Sequence, residues 1–295
     1  MISIVVTTYN RAGRLENLFA SIARMHRPAG LDWEVILVDN NSTDATRDVT
    51  LRFSKNAAFP IRYVFERRQG IAHGRNRGVA EAAGDIIACV DDDCVVGQSW
   101  LAAIAQEFAR DERLLLLGGR VELFDPADAP MTIRTGRKRL DLSGDPEAFH
   151  HLIGCNLAFR RLAYERVGGF DPRYGAGSGV LPSNEDTEFT YRVIRLDGTV
   201  LYVPDAVVYH HHGRRDPVVL AALRDSYATG RGGFYADYIR RADWRVARMA
   251  CEELVDRLLV VMSPWTAATK RAEQISVLRA LWRGAGLILR HSTPR

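Results

Sequence analysis

The chain has 295 residues, of which 47% are apolar and 26% are charged, and this composition excludes disordered and fibrous proteins. Its apolar runs are far shorter than the ~20 residues of a transmembrane helix, and no basic segment precedes an apolar run at its start. The four cysteines contain no C-x-x-C pair. These features predict a cytoplasmic protein without disulfides or a zinc framework.

The positive charge of the chain is concentrated in its C-terminal quarter. From Gly230 to Arg295 there are 12 Lys and Arg against 6 Asp and Glu, whereas residues 1–229 contain 28 against 30. A main body with a slight negative charge does not suit the binding of nucleic acid, so we expect no nucleic-acid partner. The basic quarter instead predicts contact with something anionic, such as a membrane surface.

The first hundred residues predict an alternation of strands and helices. Apolar runs predict strands at Ile2 to Thr7, Glu34 to Val38, Ile61 to Phe65 and Ile86 to Val90. Apolar residues at helical spacing predict a helix after each of the first three strands, the third from about His73 to Ala83. This order predicts an α/β fold with a mostly parallel sheet, which binds ligands beyond the carboxyl ends of its strands.

The pattern is looser in the rest of the chain. A helix is predicted from Ser99 to Arg110, a loop over 125–149 and a helix from Asn184 to Asp197. Strands are predicted at Arg120 to Phe124, Gly154 to Arg160, Thr199 to Pro204 and Ala206 to Tyr209. From Val218 onward the spacing predicts amphipathic helices. We therefore expect one domain over residues 1–215 and a basic helical segment over 216–295.

Three consecutive aspartates, Asp91, Asp92 and Asp93, follow the fourth predicted strand. Adjacent carboxylates repel one another and are hard to keep ionised without a cation. Strand alternation predicts that Asp91 and Asp93 point to the same side. Oxygen ligands at this spacing suit Mg²⁺ or Mn²⁺, which share the rest of their coordination with phosphates and water. A solvated acidic turn is the alternative.

Polar residues also follow the first two predicted strands. The Asp39 carboxylate can accept a hydrogen bond from a nucleobase imide or a ribose hydroxyl, or it can cap the next helix together with Ser42. Thr8, Tyr9 and Asn10 either contact a base through their backbone or form only a polar turn. The sequence by itself leaves both alternatives open.

Three further candidates lie farther along the chain. Arg75 begins a helix and either reaches a diphosphate or is solvated. Glu185 and Asp186 also begin a helix, where acidic residues are common because of the helix dipole alone. Alternation places His210 and His212 on one side of a strand end, where either can complete a metal site with the aspartates, unless they form an exposed polar turn.

In their order along the chain, these residues resemble a known family. Over about residues 1–215 the chain is similar to the family 2 nucleotide-sugar glycosyltransferases of GT-A fold. The resemblance implies a mixed, mostly parallel sheet flanked by helices, a nucleotide-sugar half over 1–115, an acceptor half over 116–215 and a C-terminal helical extension. It rests on Thr8-Tyr9-Asn10, Asp39, Arg75-Asn76-x-Gly78, Asp91 to Asp93, Gly168-Gly169-Phe170-Asp171, Glu185-Asp186 and His210 to His212.

The resemblance also implies roles for these residues and a cofactor, Mn²⁺ or Mg²⁺. Asp39 would read uracil or thymine, Asp91 would bind the ribose or the metal, and Asp93 would bind the metal. Asp186 would be the catalytic base, with Glu185 as the second candidate. The other candidates are Thr8, Tyr9, Asn10, Arg75 and Asp92 for the nucleotide, and His210 and His212 for the diphosphate and metal.

The function implied is inverting, metal-dependent transfer of one sugar from a UDP- or dTDP-sugar to a hydroxyl of a saccharide or lipid-linked acceptor in glycan biosynthesis. Polymerisation is disfavoured because the Gln-Arg-Arg-Trp motif of processive synthases is absent. One alternative is a sugar-phosphate nucleotidyltransferase, although such enzymes usually have a Gly-rich loop with a basic residue after the first strand. The other is an inactive, membrane-associated scaffold of the same fold.

Three of the five tryptophans, Trp244, Trp265 and Trp282, lie in the basic C-terminal segment. Basic amphipathic helices with such aromatics suit an anionic bilayer, which predicts a protein bound peripherally to the inner face of the membrane. The alternative is that these helices pack on the catalytic domain or on a second subunit of a homo-oligomer.

Overall fold

The computed structural model describes residues 1–291, which form two compact units. Unit 1 contains residues 1–171 and 186–214, and unit 2 contains residues 172–185 and 215–291. The glycine-containing segment 172–185 therefore belongs with the C-terminal helices, although unit 1 flanks it on both sides in the sequence.

Unit 1 is built on one mixed sheet. Its strands are β1 (Ile2–Thr8), β2 (Trp33–Asp39), β3 (Ile61–Phe65), β4 (Ile86–Val90), β5 (Cys94–Val96), β6 (Leu114–Leu123), β7 (Leu140–Asp141), β8 (Asn156–Arg160) and β9 (Thr199–His210). The order across the sheet is β3-β2-β1-β4-β8-β6-β9-β5, and β7 pairs with β9. The first four strands are parallel, β8 runs antiparallel to β4 and β6, and β9 is parallel to β6. The predicted α/β class and mostly parallel sheet are confirmed.

Helices cover both faces of this sheet. They are α1 (Ala12–Ala23), α2 (Thr46–Asn56), α3 (Ile71–Glu81), α4 (Trp100–Arg110), α5 (Arg161–Val167) and α6 (Glu185–Ile194), with a 3₁₀ helix at Pro146–His151. Apolar side chains of α1, α2 and α4 pack on one face, and those of α3, α5 and α6 pack on the other. Within β1, Ile4 and Val6 join the first cluster and Val5 joins the second, so the strand is apolar throughout, as expected for a sheet buried on both faces.

Two glycines let the backbone of α3 lie directly against side chains of β1. A Cβ on Gly74 would overlap the side chain of Thr7, and a Cβ on Gly78 would overlap that of Val5. Arg75 lies between these glycines, so the close contact fixes its position near the carboxyl end of the sheet.

The structure differs from the sequence prediction mainly after β4. The strand β5 and the helix α5 were not predicted, because three and seven residues are too few to show a periodic pattern. The strand β6 begins at Leu114 rather than Arg120, since its first residues are buried on both faces and do not alternate. The two strands predicted between Thr199 and Tyr209 are one strand, and the predicted loop contains β7 and the 3₁₀ helix.

Unit 2 is helical, as predicted. It contains α7 (Pro217–Arg240), α8 (Trp244–Met262) and α9 (Ala268–Arg290). The carboxylates of Asp216 and Asp243 accept backbone N–H bonds at the starts of α7 and α8. Among residues 1–291, none of the helices is long and apolar enough to span a bilayer.

Candidate active site

The three aspartates lie where β4 ends, and each contacts a different element. The strand stops at Val90 and the chain turns at residues 92–93, so the alternation that was expected to place Asp91 and Asp93 on one side does not continue through them. Asp91 contacts Arg75, Asp92 contacts Thr8 and Asp93 contacts His210. The triplet is therefore a junction of several elements rather than a solvated turn.

Asp92 is buried and binds the end of β1. The Thr8 hydroxyl donates to its carboxylate at 2.6 Å. Burial and the neighbouring Asp93 charge raise the pKa of Asp92 to about 7. This bond ties the carboxyl ends of β1 and β4 together.

Asp93 forms a buried ion pair with His210. The His210 Nε2 lies 3.2 Å from the Asp93 carboxylate, and its Nδ1 lies 3.2 Å from the Thr132 hydroxyl. Burial alone would raise the pKa of Asp93, but the hydrogen bond and charge of His210 lower it to about 2. Burial alone would likewise lower the pKa of His210, but the Cys155 sulfur and the Asp93 carboxylate raise it to about 9.

This pair fits a divalent cation. Ligand atoms of Asp93, Cys94 and His210 lie within 4.8 Å of one another, close enough to share one ion. Contact with Cys155 and burial raise the pKa of the Cys94 thiol well above its usual value, so Cys94 stays protonated and is a poor ligand. A carboxylate oxygen and an imidazole nitrogen remain once His210 gives up its Nε2 proton, which metal binding requires, and this set suits Mn²⁺ better than Mg²⁺, which prefers oxygen ligands.

His212 is buried beside His210, with their ring centroids 4.9 Å apart. The backbone N–H of Arg214 donates to its Nδ1 at 3.0 Å. Burial lowers the pKa of His212. Although the Asp128 carboxylate also lies 3.6 Å from Nδ1, the Arg214 N–H donates to that atom, and we therefore assign the proton of the neutral ring to Nε2. That nitrogen is buried and has no hydrogen-bond partner within residues 1–291. In this tautomer His212 is a hydrogen-bond donor rather than a metal ligand.

A chain of hydrogen bonds joins Arg75 to Asp186. The buried Arg75 guanidinium lies 3.2 Å from the Asp91 carboxylate and donates to the Gly154 carbonyl at 3.2 Å. The Gly154 N–H in turn donates to the Asp186 carboxylate at 2.8 Å. A Cβ on Gly154 would overlap this carboxylate, so the contact requires glycine. The Gly154 peptide thus places Asp186 relative to Asp91.

Asp186 is better suited to proton transfer than Glu185. Its two oxygens each accept one backbone N–H, from Gly154 and from Thr187, which leaves a lone pair on each. Asp186 is partly exposed, whereas Glu185 is buried.

Asp39 is buried at the end of β2 with two partners. One oxygen accepts the Ser42 N–H at 2.9 Å, and the other accepts the Tyr63 hydroxyl at 2.8 Å. Asp39 therefore stabilises its own loop, as the capping alternative expected, and each oxygen keeps one lone pair for a further donor. Both predicted roles are compatible with this geometry.

The turn after β1 contains two exposed residues, Tyr9 and Asn10, of which Asn10 holds the loop. Asn10 has a φ of +53°, and its side chain accepts the Thr43 N–H at 2.8 Å, so it shapes the loop. Tyr9 is exposed and can contact a ligand.

The sequence predicted neither Gly154 nor Thr132 as part of the site. Gly154 fell within a predicted strand, and Thr132 lay in a predicted loop. Nothing in their local patterns indicates a contact with Asp186 or His210, because both contacts depend on how distant segments meet. A glycine just before an apolar strand was the only available signal.

The comparisons with known proteins identify the family. A sequence model described as glycosyl transferase family 2 matches residues 3–168, more than half of the chain. The chain belongs to glycosyl transferase family 2. The resemblance stated from its motifs is thereby confirmed.

Curated relatives of this family 2 chain act on different compounds. Validoxylamine A glucosyltransferase of Streptomyces hygroscopicus subsp. jinggangensis is 30% identical over 223 residues, which cover 65% of this chain and 51% of that protein. Succinoglycan biosynthesis protein ExoM of Rhizobium meliloti is 29% identical over 213 residues, with coverages of 70% and 66%. The chain spans about half to two thirds of the length of the first curated relatives it matches.

Solved structures confirm the GT-A fold. One is the mannosyltransferase PcManGT from Pyrobaculum calidifontis in complex with GDP-Man and Mn²⁺, with a TM-score of 0.65 and 19% identity. The match covers 98% of this chain and 79% of the PcManGT chain. TarS 1–349 from S. aureus in complex with UDP-GlcNAc has a TM-score of 0.60 and 16% identity, with coverages of 96% and 81%.

Proposed function

We propose that this family 2 protein is an inverting, metal-dependent glycosyltransferase that moves one sugar from a nucleotide-diphosphate sugar to an acceptor hydroxyl. One observation carries the proposal: the aspartate triplet includes Asp93, which pairs with the buried His210, and Asp91, from which contacts through Arg75 and Gly154 lead to the Asp186 carboxylate. The proposed metal ligands and the proposed base therefore lie within one unit of the fold.

The donor is a sugar linked to a nucleoside diphosphate. Relatives of this fold were solved with UDP-GlcNAc and with GDP-Man and Mn²⁺, which supports the class of donor. We favour UDP or dTDP, because a free lone pair on Asp39 can accept the imide N–H of uracil or thymine, and an exposed Tyr9 can cover the base.

Each residue has a separate task in the transfer. Asp93 and His210 would hold Mn²⁺, which when bound offsets the negative charge on the departing diphosphate. The Nε2–H of His212 donates to a diphosphate oxygen. Asp186 accepts the proton of the acceptor hydroxyl as that oxygen attacks the anomeric carbon. A single displacement inverts the configuration of that carbon.

The acceptor is a saccharide or a lipid-linked saccharide of glycan biosynthesis. A lipid-linked acceptor would bring the protein to the inner face of an anionic membrane. Helix α9 supports this location, because it carries five Lys and Arg against one Glu and an exposed Trp282. Binding to anionic but not neutral vesicles, lost in high salt, is the expected result in a sedimentation assay.

Donor binding and product stereochemistry test the proposal. Thermal unfolding is measured with UDP-, dTDP- and GDP-sugars, with Mn²⁺, with Mg²⁺ or with EDTA. A donor at 100 times its Kd should stabilise the protein by ~2.7 kcal/mol, most strongly with Mn²⁺. NMR of the product formed with a binding donor should show inversion. Equal stabilisation in EDTA would contradict the metal, and retention would contradict the single displacement.

A further inference from the structure

Helix α8 exposes apolar side chains at its first residue and over its second half. The exposed fractions of these side chains are large: Trp244 is 66% exposed, Val255 53%, Leu258 45%, Leu259 63% and Met262 78%. Cys251 is exposed as well. We call these residues, together with Arg248 among them, the α8 stripe. An apolar patch of this kind marks an interaction surface.

The spacing of the α8 stripe residues reads the same from the N-terminal end of the helix as from the C-terminal end. Six of its seven positions, 244, 248, 251, 255, 258 and 262, are separated by steps of four and three residues in the order 4-3-4-3-4, and Leu259 lies beside Leu258. Such steps keep the residues on one side of a helix. Because the order is palindromic, two antiparallel copies of α8 can meet stripe to stripe over the full ~28 Å of 19 residues.

The charges on α8 disfavour an anionic membrane as the occupant of the stripe. The helix contains three Arg and three acidic residues, so it has no excess of positive charge, whereas the excess of unit 2 lies mainly on α9. Glu252 and Asp256 border the stripe and are exposed. Anionic lipid headgroups would repel these carboxylates.

We propose that α8 is the interface of a homodimer, in which it packs antiparallel against α8 of a second copy. With the two-fold axis at position 253, Trp244 meets Met262 and Cys251 meets Val255 across the interface. Two-fold symmetry makes such a contact self-complementary. The proposal is independent of the catalytic role, since the candidate active site lies in unit 1.

The borders of the stripe are complementary in this register. Within the stripe, Arg248 lies on the side that Asp256 borders, and the axis brings it within two positions, about 3 Å along the helix, of the place opposite Asp256. The two Glu252 carboxylates lie near the axis, and each is already 3.6 Å from its own Arg248. The Arg248 side chain is half-exposed and can bridge both acidic residues.

Sedimentation equilibrium of the full chain tests the dimer. We expect a reversible monomer–dimer equilibrium whose Kd rises at least tenfold in Leu259→Glu, because a charge is then buried against an apolar stripe. Leu289→Glu on α9 is the matched control, since Leu289 is a similarly exposed leucine outside the stripe, and it should leave the Kd unchanged. Arg248→Glu should weaken the dimer, and the double variant with Asp256→Arg should restore it.

Oxidative cross-linking tests the register. The variant Val255→Cys should form a covalent dimer through Cys251 of the other copy when copper phenanthroline is added, and Cys251→Ser in the same variant should abolish that product. A monomer at all concentrations would overturn the proposal, as would a dimer that Leu259→Glu leaves intact. A monomer whose binding to phosphatidylglycerol vesicles is lost in Leu259→Glu would assign the stripe to the membrane instead.

Discussion

Both units bury acidic side chains, but they surround them differently. In unit 2 the partly buried Glu253 accepts hydrogen bonds from Arg231, Tyr235 and Arg257. In unit 1, within residues 1–291, the side chain of the more deeply buried Asp93 has a single hydrogen-bond partner, His210. A carboxylate with three donors is satisfied by the fold itself. A carboxylate with one partner keeps spare lone pairs for a ligand, as the proposed metal role of Asp93 requires.

Substitutions of carboxylates in unit 1 should affect catalysis, and those in unit 2 should affect stability. The largest effect is expected at Asp186 in unit 1. Replacement Asp186→Asn should lower turnover by ~10² to 10⁴ and leave the donor Kd nearly unchanged, because a general base is lost. Asn can accept only one of the two backbone N–H groups, so thermal unfolding is measured beside turnover. The control is Glu185→Gln, which should keep most activity. The reverse pattern would move the base to Glu185.

The next largest effect is expected at Gly154. Replacement Gly154→Ala places a Cβ against the Asp186 carboxylate and should displace it, with turnover falling roughly 10²-fold, as for a catalytic group moved by about 1 Å. Gly13→Ala in α1 is the control, since its Cβ meets open space and should stabilise the helix by ~0.5–1 kcal/mol. Normal turnover in Gly154→Ala would show that the placement of Asp186 does not depend on this peptide.

A smaller effect distinguishes the two roles of Asp39. Replacement Asp39→Ala should weaken UMP binding by ~1.5–3 kcal/mol in a calorimetric titration, because a hydrogen bond from the base to a charged acceptor is lost. Tyr63→Phe removes a structural partner of the same carboxylate and should lower stability more than affinity. If Asp39→Ala binds UMP as tightly as wild type, Asp39 serves only its own loop.

The smallest effect is expected at Glu253. Burial alone would raise its pKa, but Arg231 and the other donors lower it below the ordinary 4.5. The ionised carboxylate therefore stabilises the fold above pH 4.5, and this contribution is lost as the pH falls through the lowered value. Glu253→Gln should lose ~1–2 kcal/mol of unfolding free energy at pH 7 and progressively less below pH ~4. Glu273→Gln, at an exposed pair, should change neither value.

The parts of the site that follow strand ends could be predicted from the sequence. Asp39 and the aspartate triplet stand directly after apolar strands, and parallel topology gathers such residues at one edge. The Asp93–His210 pair could not be predicted in this way. It depends on β5, whose Cys94 pairs with His210 in an antiparallel register. A three-residue strand leaves no periodic signal. The placement of Asp186 by Gly154 likewise depends on a contact over 32 residues.

The crossing of α7 and α9 has a consequence for how the chain can be divided. A Cβ on Gly284 would overlap the Thr229 carbonyl, and one on Gly232 would overlap the Leu281 carbonyl, so the two helices touch backbone to backbone. The glycines leave a groove at the crossing, and α9 fits into this groove on α7 at a single height along its axis. The turn at 263–267 before α9 is therefore a natural place to split the gene, with the last helix supplied as a separate peptide that reassociates with the larger fragment.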